Sequence, residues 1–352
     1  MLSPDDLEHV GDGASEAAMD EELSMLRVIA MELAASVEEG TLSGFAARAA
    51  NVMRLCRKLH ARHRRDVQTA IRSDLSNAMA ANASDELKRA LAGKEALRTD
   101  FKAPSDDLAA EYEARMGRAP QQARELYLRH AQLAAMYDRN GVKTRREAID
   151  DACRDLAENG IAWNVYETRN GLRRVPVDVG VRQMVNDHAQ DALTAQVLSI
   201  AEQTGSNLIE VSAHAGARPS HAAWQGKVYM LHGSTDEYPN FAEACHVGDP
   251  VRGYGGYNCK HTIGIYTPGL PRRWGDAHVE GYTDGEVYVL KQRQRGYEND
   301  IRKLKRRIST VEAGGGDASA DRKRLNAKRA ELRKLIDDNP KALYRDRWRE
   351  QA

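Results

Sequence analysis

The chain has 352 residues, 41% hydrophobic and 30% charged, with only 6% aromatic and three Phe. At about 150 residues per domain that is room for roughly two domains and a real core, and the Ala-, Arg-, Glu- and Leu-rich mix favours exposed or paired helices. The zero net charge hides a polarity: residues 1–40 carry eleven acidic side chains against Arg27 alone, and residues 291–352 carry nineteen basic against ten acidic. This asymmetry points to partners at the two ends, or to two ends that meet each other, with a solvated charged helix face as the plain alternative.

Cys56, Cys153, Cys245 and Cys259 are dispersed, without a CxxC pair. That excludes a disulfide-built secreted scaffold and fits a reducing compartment. No apolar run approaches the roughly 18 residues that span a bilayer, and the acidic start lacks the features of a signal peptide. The expectation is a protein made and assembled in a cytoplasm, with no membrane contact.

In chain order, residues 1–18 read as frayed around Gly11-Asp12-Gly13. Leu23, Leu26, Ala30, Leu33 and Val37 then form one helical stripe, ended by Glu38-Glu39-Gly40. A second helix over 45–79 places Val67, Ile71, Leu75 and Met79 on one face. Its other face carries Arg54, Arg57, Lys58, Arg62, Arg64 and Arg65. Ser84-Asp85 reads as a new N-cap. Pro104 breaks the pattern and Ser105 caps a helix with Leu108, Tyr112 and Met116. Pro120 opens the next, with Leu126, Leu133 and Tyr137, stopping at Asn140-Gly141. Thr144 with Glu147 forms a capping box for a helix with Ile149, Ala152, Cys153 and Leu156, ending at Asn159-Gly160.

The texture then changes. Residues 163–177, centred on Asn170-Gly171, predict a short hairpin. A helix follows over 178–204, ending at Gly205, and residues 208–211 predict a strand. Residues 212–271 are rich in Gly, Pro, His and Tyr, closed by a strand over 262–266. Finally Tyr297, Ile301, Leu304, Ile308 and Val311 form one stripe and Leu325, Leu332, Leu335 and Ile336 another. With Gly314-Gly315-Gly316 as a flexible break, they make an antiparallel helical hairpin. The fold class is α+β and predominantly helical: a helical N-terminal half, a small Gly/His-rich α+β centre and a C-terminal helical hairpin. The expected divisions are an acidic segment 1–40, a helical region 41–160, an α+β unit 161–285 and a basic tail 286–352.

Only the Gly/His-rich stretch is dense in reactive side chains. His214, His221, Cys259 and His261 are of the types that bind zinc, but their spacings match no compact zinc pattern. The preferred reading is a hydrogen-bonded core in which each imidazole satisfies backbone groups of a glycine-rich loop. Cys259 with His261 or His221 could form a thiolate–imidazole pair with Arg218 at an anion, yet no acid sits at a telling offset. Asp236, Glu237 and Glu243 read as ordinary surface acids and Cys245-His246 as incidental. Trp224 reads as a packing anchor. Gly253-Tyr-Gly-Gly256 is not a dinucleotide loop, and there is no Walker A sequence. The basic helix and tail could contact nucleic-acid phosphates, although the interleaved aromatics of single-strand binders are sparse.

His214-Ala-Gly-Ala-Arg-Pro-Ser-His221, Trp224-Gln-Gly-Lys-Val-Tyr229 and Asn258-Cys-Lys-His261 resemble the phage minor capsid protein 2 family. So does the tail Gln292-Arg-Gln-Arg295 with Ile301-Arg-Lys-Leu-Lys-Arg-Arg307. The likeness is specific over about 207–341 and looser over 45–204; none is seen for 1–40. A more distant likeness is to head-morphogenesis proteins typified by the F protein of phage Mu. The motif positions carried over are His214, Gly216, Arg218, His221, Trp224, Gln225, Gly226, Asn258, Cys259 and His261. Lys260 stands where Arg is expected, and the closing strand lacks the Phe and Pro of the motif.

The resemblance implies a minor structural protein of a tailed-bacteriophage head, portal-associated and acting in capsid assembly or DNA packaging. It implies portal and other capsid proteins as partners, with phage DNA as a further candidate, no small-molecule substrate and no catalytic residues. The implied locations are the virion and, during assembly, the bacterial host cytoplasm. The alternatives are a metal-dependent hydrolase or nuclease carried in the virion, and a nucleic-acid-binding head protein. No cofactor is expected, zinc being the one candidate.

Overall fold

Ser3 accepts the Asp6 amide at 3.0 Å and Asp6 reaches back to the Ser3 amide, closing a capping box over α1 (Pro4–His9). The computed structural model describes residues 1–39, 42–91, 104–168, 171–275 and 277–351. The expectation of a frayed start is corrected. Leu7, Ala14 and Ala18 are buried, and the Met1 amine sits against Asp85 and Glu86.

After α1 come α2 (Asp12–Glu39) and α3 (Leu42–Leu91), the latter about 75 Å long at 1.5 Å per residue. Leu23, Leu26, Ala30 and Leu33 are buried as their spacing predicts, and so are Val67, Ile71, Leu75 and Met79. The side chain of Val37 and residue Gly40 lie outside the described residues. Ser84-Asp85 does not begin a helix: α3 runs through both. Long-range partners hold the segment. Asn82 donates to Gln196, Asp85 bonds the chain's amino terminus, and Glu86 accepts the Ile265 amide at 2.6 Å.

The helices α4 (Ser105–Met116), α5 (Ala119–Arg139) and α6 (Arg145–Asn159) follow. Pro104, not Ser105, is the cap of α4 and makes no side-chain bond. In α5 the buried stripe is Ala123, Tyr127, His130 and Ala131; Leu126, Leu133 and Tyr137 are only half-buried. The Thr144–Glu147 capping box forms as read, and Gly160 ends α6. Strands β1 (Asn164–Thr168) and β2 (Gly171–Val175) pair antiparallel with Thr168 opposite Gly171. Asn170 of the expected turn lies outside the described residues. Then come α7 (Val177–Thr204), β3 (Leu208–Val211), α8 (Pro219–Ala222), β4 (Val228–Met230), α9 (Phe241–Ala244), β5 (Ile263–Ile265), α10 (Asp284–Ala313) and α11 (Ser319–Asp337). The second sheet is antiparallel in the order β4-β3-β5. The protein is thus α+β and predominantly helical. No helix among the described residues is long and apolar enough to cross a membrane.

One apolar core joins α1 through α6 to the first part of α7, centred on Leu26, Ile29, Ile71, Leu108, Tyr112, Tyr127 and Leu156. A second packs the end of α7 (Val197, Ile200) on Ile209, Val211, Ile263 and Ile265 of the sheet, with Trp224, Phe241 and Tyr254. A third lies between the tail and the body: Ile301, Ile308, Val311, Leu325 and Leu332 cover Ala30, Ile149 and Cys153. The C-terminal hairpin therefore folds back rather than reaching outward. Its glycines are there for close approach, not flexibility. A Cβ on Gly314 would lie 2.8 Å from the Cys153 sulfur, and one on Gly316 2.5 Å from Asp150.

Charge drives the same closure. Arg302 Nε lies 3.1 Å from Asp178, and Arg306 Nη1 lies 3.5 Å from Asp178 and 3.2 Å from Glu22. Nearer the ends, Glu8 pairs with Lys260, Arg295 and Arg349. The acidic start and basic tail meet each other, one of the arrangements that the charge polarity allows.

Burial pushes the Glu22 carboxyl up to about 7, outweighing the pull of Arg306. A raised carboxyl favours the native state below its unfolded value and loses that advantage as pH rises through about 7. Glu22→Gln should therefore gain stability relative to the parent between about pH 4.5 and 7 in urea unfolding curves. A parent that gains on the variant over that window would show attraction, not burial, in control.

Candidate functional site

The site is built on the edges of the three-stranded sheet. Beyond β3 the chain turns at Ser212, whose amide donates to the Thr262 carbonyl at 2.9 Å while its hydroxyl accepts the Thr262 amide at 2.8 Å. That pairing sets His214 beside His261, their ring centroids 4.8 Å apart. The loop returns through α8, which carries His221, and comes back to the sheet at Gly226. Gly226 has φ +67°, and a Cβ there would meet the Gly275 carbonyl at 3.0 Å, so the position requires glycine. Gly216 has φ +70° and packs against Val287 of α10.

Arg218 does not face an anion. Its guanidinium donates to the Val251 carbonyl at 3.0 Å and the Tyr257 carbonyl at 2.6 Å, clamping the 251–257 loop. Trp224 is 3% exposed and donates from its indole to the Arg252 carbonyl at 3.3 Å. It packs on His221 and His261, both at 4.6 Å between ring centroids, and is the packing anchor its sequence context implies. Gln225 is the hub of the cluster. Its side-chain oxygen accepts the His214 amide at 3.1 Å and lies 3.0 Å from His261 Nε2. Asn258 takes φ +53°, a left-handed conformation that asparagine tolerates better than most residues, and so delivers Cys259 into the core.

Of the four candidate metal ligands, three come together. His221, Cys259 and His261 are all buried and each offers a ligand atom within 4.8 Å of the others. The Cys259 sulfur lies 3.6 Å from His261 Nδ1. His214 stays outside, its Nδ1 bonded to the Ala215 carbonyl at 3.2 Å. The expectation that each imidazole satisfies backbone groups is met at His214: His261 contacts the Gln225 and Cys259 side chains instead, and His221 Nε2 is buried without a partner.

The electrostatics oppose a catalytic thiolate–imidazolium pair. Burial pushes the Cys259 thiol up, and burial pulls His221 down to about 4 and His261 well below its ordinary value. Both members of the pair are thus held neutral, the opposite of the shifts that activate a cysteine. A cavity of about 430 Å³ borders the cluster at His221 and Cys259. Lys260 also lines it, held by Glu8 while burial and then the Arg295 and Arg349 charges pull its ammonium down.

Sequence reasoning missed the buried carboxylates that hold the unit together. Glu210, fully buried on β3, accepts the amides of Arg273 and Trp274 at 2.9 Å each. Glu86 receives the Arg273 guanidinium besides the Ile265 amide. Gln190 donates to the His261 carbonyl at 2.7 Å. The local sequence carries no signal for these, because every partner is distant along the chain. The Thr283–Glu286 capping box at the start of α10 was readable from its Thr-x-x-Glu spacing.

A family model described as phage minor capsid protein 2 matches residues 2–337. The match takes in the acidic start, where the motifs alone showed no likeness. No curated protein and no solved structure matches the chain.

All four cysteines are buried, and burial pushes Cys56, Cys153 and Cys245 up to about 12. Iodoacetamide at neutral pH should leave the native protein unmodified and alkylate all four after unfolding. Rapid single-site alkylation at Cys259 in the native state would revive the nucleophile reading.

Proposed function

The chain belongs to the phage minor capsid protein 2 family, and from that premise we propose that it docks on the portal of the head and acts in capsid assembly or DNA packaging. Membership carries a structural role in the phage head and a place in the virion. Assembly in the bacterial host cytoplasm is part of the same reading, and no turnover of substrate is.

The observation that carries the docking reading is the β1–β2 hairpin. Residues 164–167 and 171–174 are all exposed. Leu172, Val165 and Tyr166 stand 71%, 42% and 40% exposed, among Arg173 and Arg174. A lone two-stranded ribbon is marginal in water and presents unpaired edges, which suits it to pair with another chain. At its base a groove of about 760 Å³ combines Trp163, Val165 and Leu126 with Arg115, Arg118, Arg129 and Arg174. Gly180 makes room for the indole there: a Cβ on it would lie 2.1 Å from the Trp163 ring. Apolar surface ringed by arginine fits a partner segment with both acidic and apolar side chains.

A second reading, contact with phage DNA, is supported by α3. Arg54, Arg57, Lys58, Arg62 and Arg65 are exposed along it. In the tail Arg302 and Arg306 are buried in ion pairs, and Arg322, Lys323, Arg324, Arg333 and Lys334 of α11 are exposed.

Leu172→Asp with Arg174→Glu should change stability by no more than about 0.5 kcal/mol, since both positions are exposed, and should strip the protein from purified heads. Normal incorporation of a folded double variant would reject the hairpin as the docking element. Charge reversal at Arg57 and Arg62 separates the second reading: it predicts weaker, less salt-dependent DNA binding with incorporation retained.

A further inference from the structure

We propose that His221, Cys259 and His261 bind one divalent transition-metal ion, zinc being the best fit, at a site that pins the central unit together. The inference does not rest on the docking reading: it concerns how this unit holds its shape, whichever subunit the hairpin meets.

Four observations converge. The first is distance. Zinc bonds of about 2.3 Å to sulfur and 2.0–2.1 Å to nitrogen, at a tetrahedral angle, set sulfur and nitrogen about 3.6 Å apart. The Cys259 sulfur and His261 Nδ1 stand 3.6 Å apart. The three ligand atoms fall within 4.8 Å of one another, so closure on a metal asks for about an ångström of movement by His221.

The second is an unfilled bond. His221 is 2% exposed and its Nε2 has no partner. Leaving a buried polar atom unsatisfied costs on the order of 1–3 kcal/mol, and a metal would satisfy it.

The third is the outer ring of contacts. His261 Nε2 is held by the Gln225 carbonyl oxygen, which fixes the proton on that nitrogen and turns the Nδ1 lone pair toward sulfur. The His261 ring thus donates one N–H to an oxygen and leaves the other nitrogen free, the arrangement that orients metal-binding imidazoles.

The fourth is the chemistry of the set. One thiolate and two neutral imidazoles select zinc and its neighbours over magnesium or calcium, which take oxygen. Binding requires the Cys259 thiol to lose its proton to solvent as the sulfur–metal bond forms.

Gln225 cannot be the fourth ligand, because its oxygen already serves two N–H groups. The fourth position opens on the cavity that His221 and Cys259 line, where water can fill it. The ion would tie α8, the 251–259 loop and the entry to β5, segments with few ladder bonds of their own.

The test uses the full-length chain without a histidine tag, purified from zinc-supplemented cells. Elemental analysis should find about one zinc per chain. Reconstitution with cobalt(II) should give a thiolate-to-cobalt charge-transfer band in the near ultraviolet and the intense visible bands of a tetrahedral ion. Cys259→Ser should abolish the charge-transfer band, and His221→Gln should lower the stoichiometry. Gln225→Ala should weaken zinc affinity by about 10- to 100-fold through the lost orienting bond, and His214→Gln should keep full stoichiometry. Should the ligand variants fail to fold, the parent's cobalt spectrum decides alone. A folded parent that binds neither ion, shows no thiolate band, or keeps full metal in Cys259→Ser overturns the site.

Discussion

Asp178 is the point on which the two ends of the chain converge. It sits buried at the start of α7 and meets Arg302 and Arg306 from α10, while Arg306 also meets Glu22 from α2. Removing these charges from water is costly, and only mutual pairing offsets the cost. The pairing places α10 against α2 and α7: Arg302 and Arg306 approach Asp178, and Arg306 approaches Glu22. Ile301, Ile308 and Val311 then fall over Ala30, Ile149 and Cys153 and seal the contact with apolar area.

That closure changes where function can lie. A basic tail reaching outward would be a natural DNA-binding arm. Folded inward, Arg302 and Arg306 pair with buried acids of the body, while α11 keeps Arg322, Lys323, Arg324, Arg333 and Lys334 exposed. The β1–β2 hairpin and the basic face of α3 are exposed as well. Both project from a body whose parts are cross-linked by charge, which suits a subunit that must keep its shape while seated among others in the head.

How much of this the sequence shows depends on where each residue finds its partner. The Thr144–Glu147 box, the Val67-Ile71-Leu75-Met79 stripe and the Gly205 stop are local, and each was legible from spacing. Ser84-Asp85 misled because the same side chains that cap a helix can serve mid-helix when a distant partner waits. Asp85 is answered by the chain's own amino terminus, 84 residues away. Gly314-Gly315-Gly316 reads as a hinge by composition, yet Cys153 and Asp150 leave no room for a side chain at Gly314 or Gly316, and Gly315 takes φ +72°. At the site, the residue types of the cluster were visible and their assembly was not. Nothing in the spacing says that His214 would bond its neighbour's carbonyl while His221, Cys259 and His261 converge, or that Gln225 would orient the group.

Hydrogen exchange followed by mass spectrometry tests the central claim, that the tail is part of the folded body, most directly. If the ion pairs at Asp178 and Glu22 bind the tail into the body, backbone amides of residues 298–311 should exchange as slowly as those of residues 19–33 and open together with them. Exchange of 298–311 at the rate of an isolated, solvated helix, with 19–33 still protected, would contradict the account.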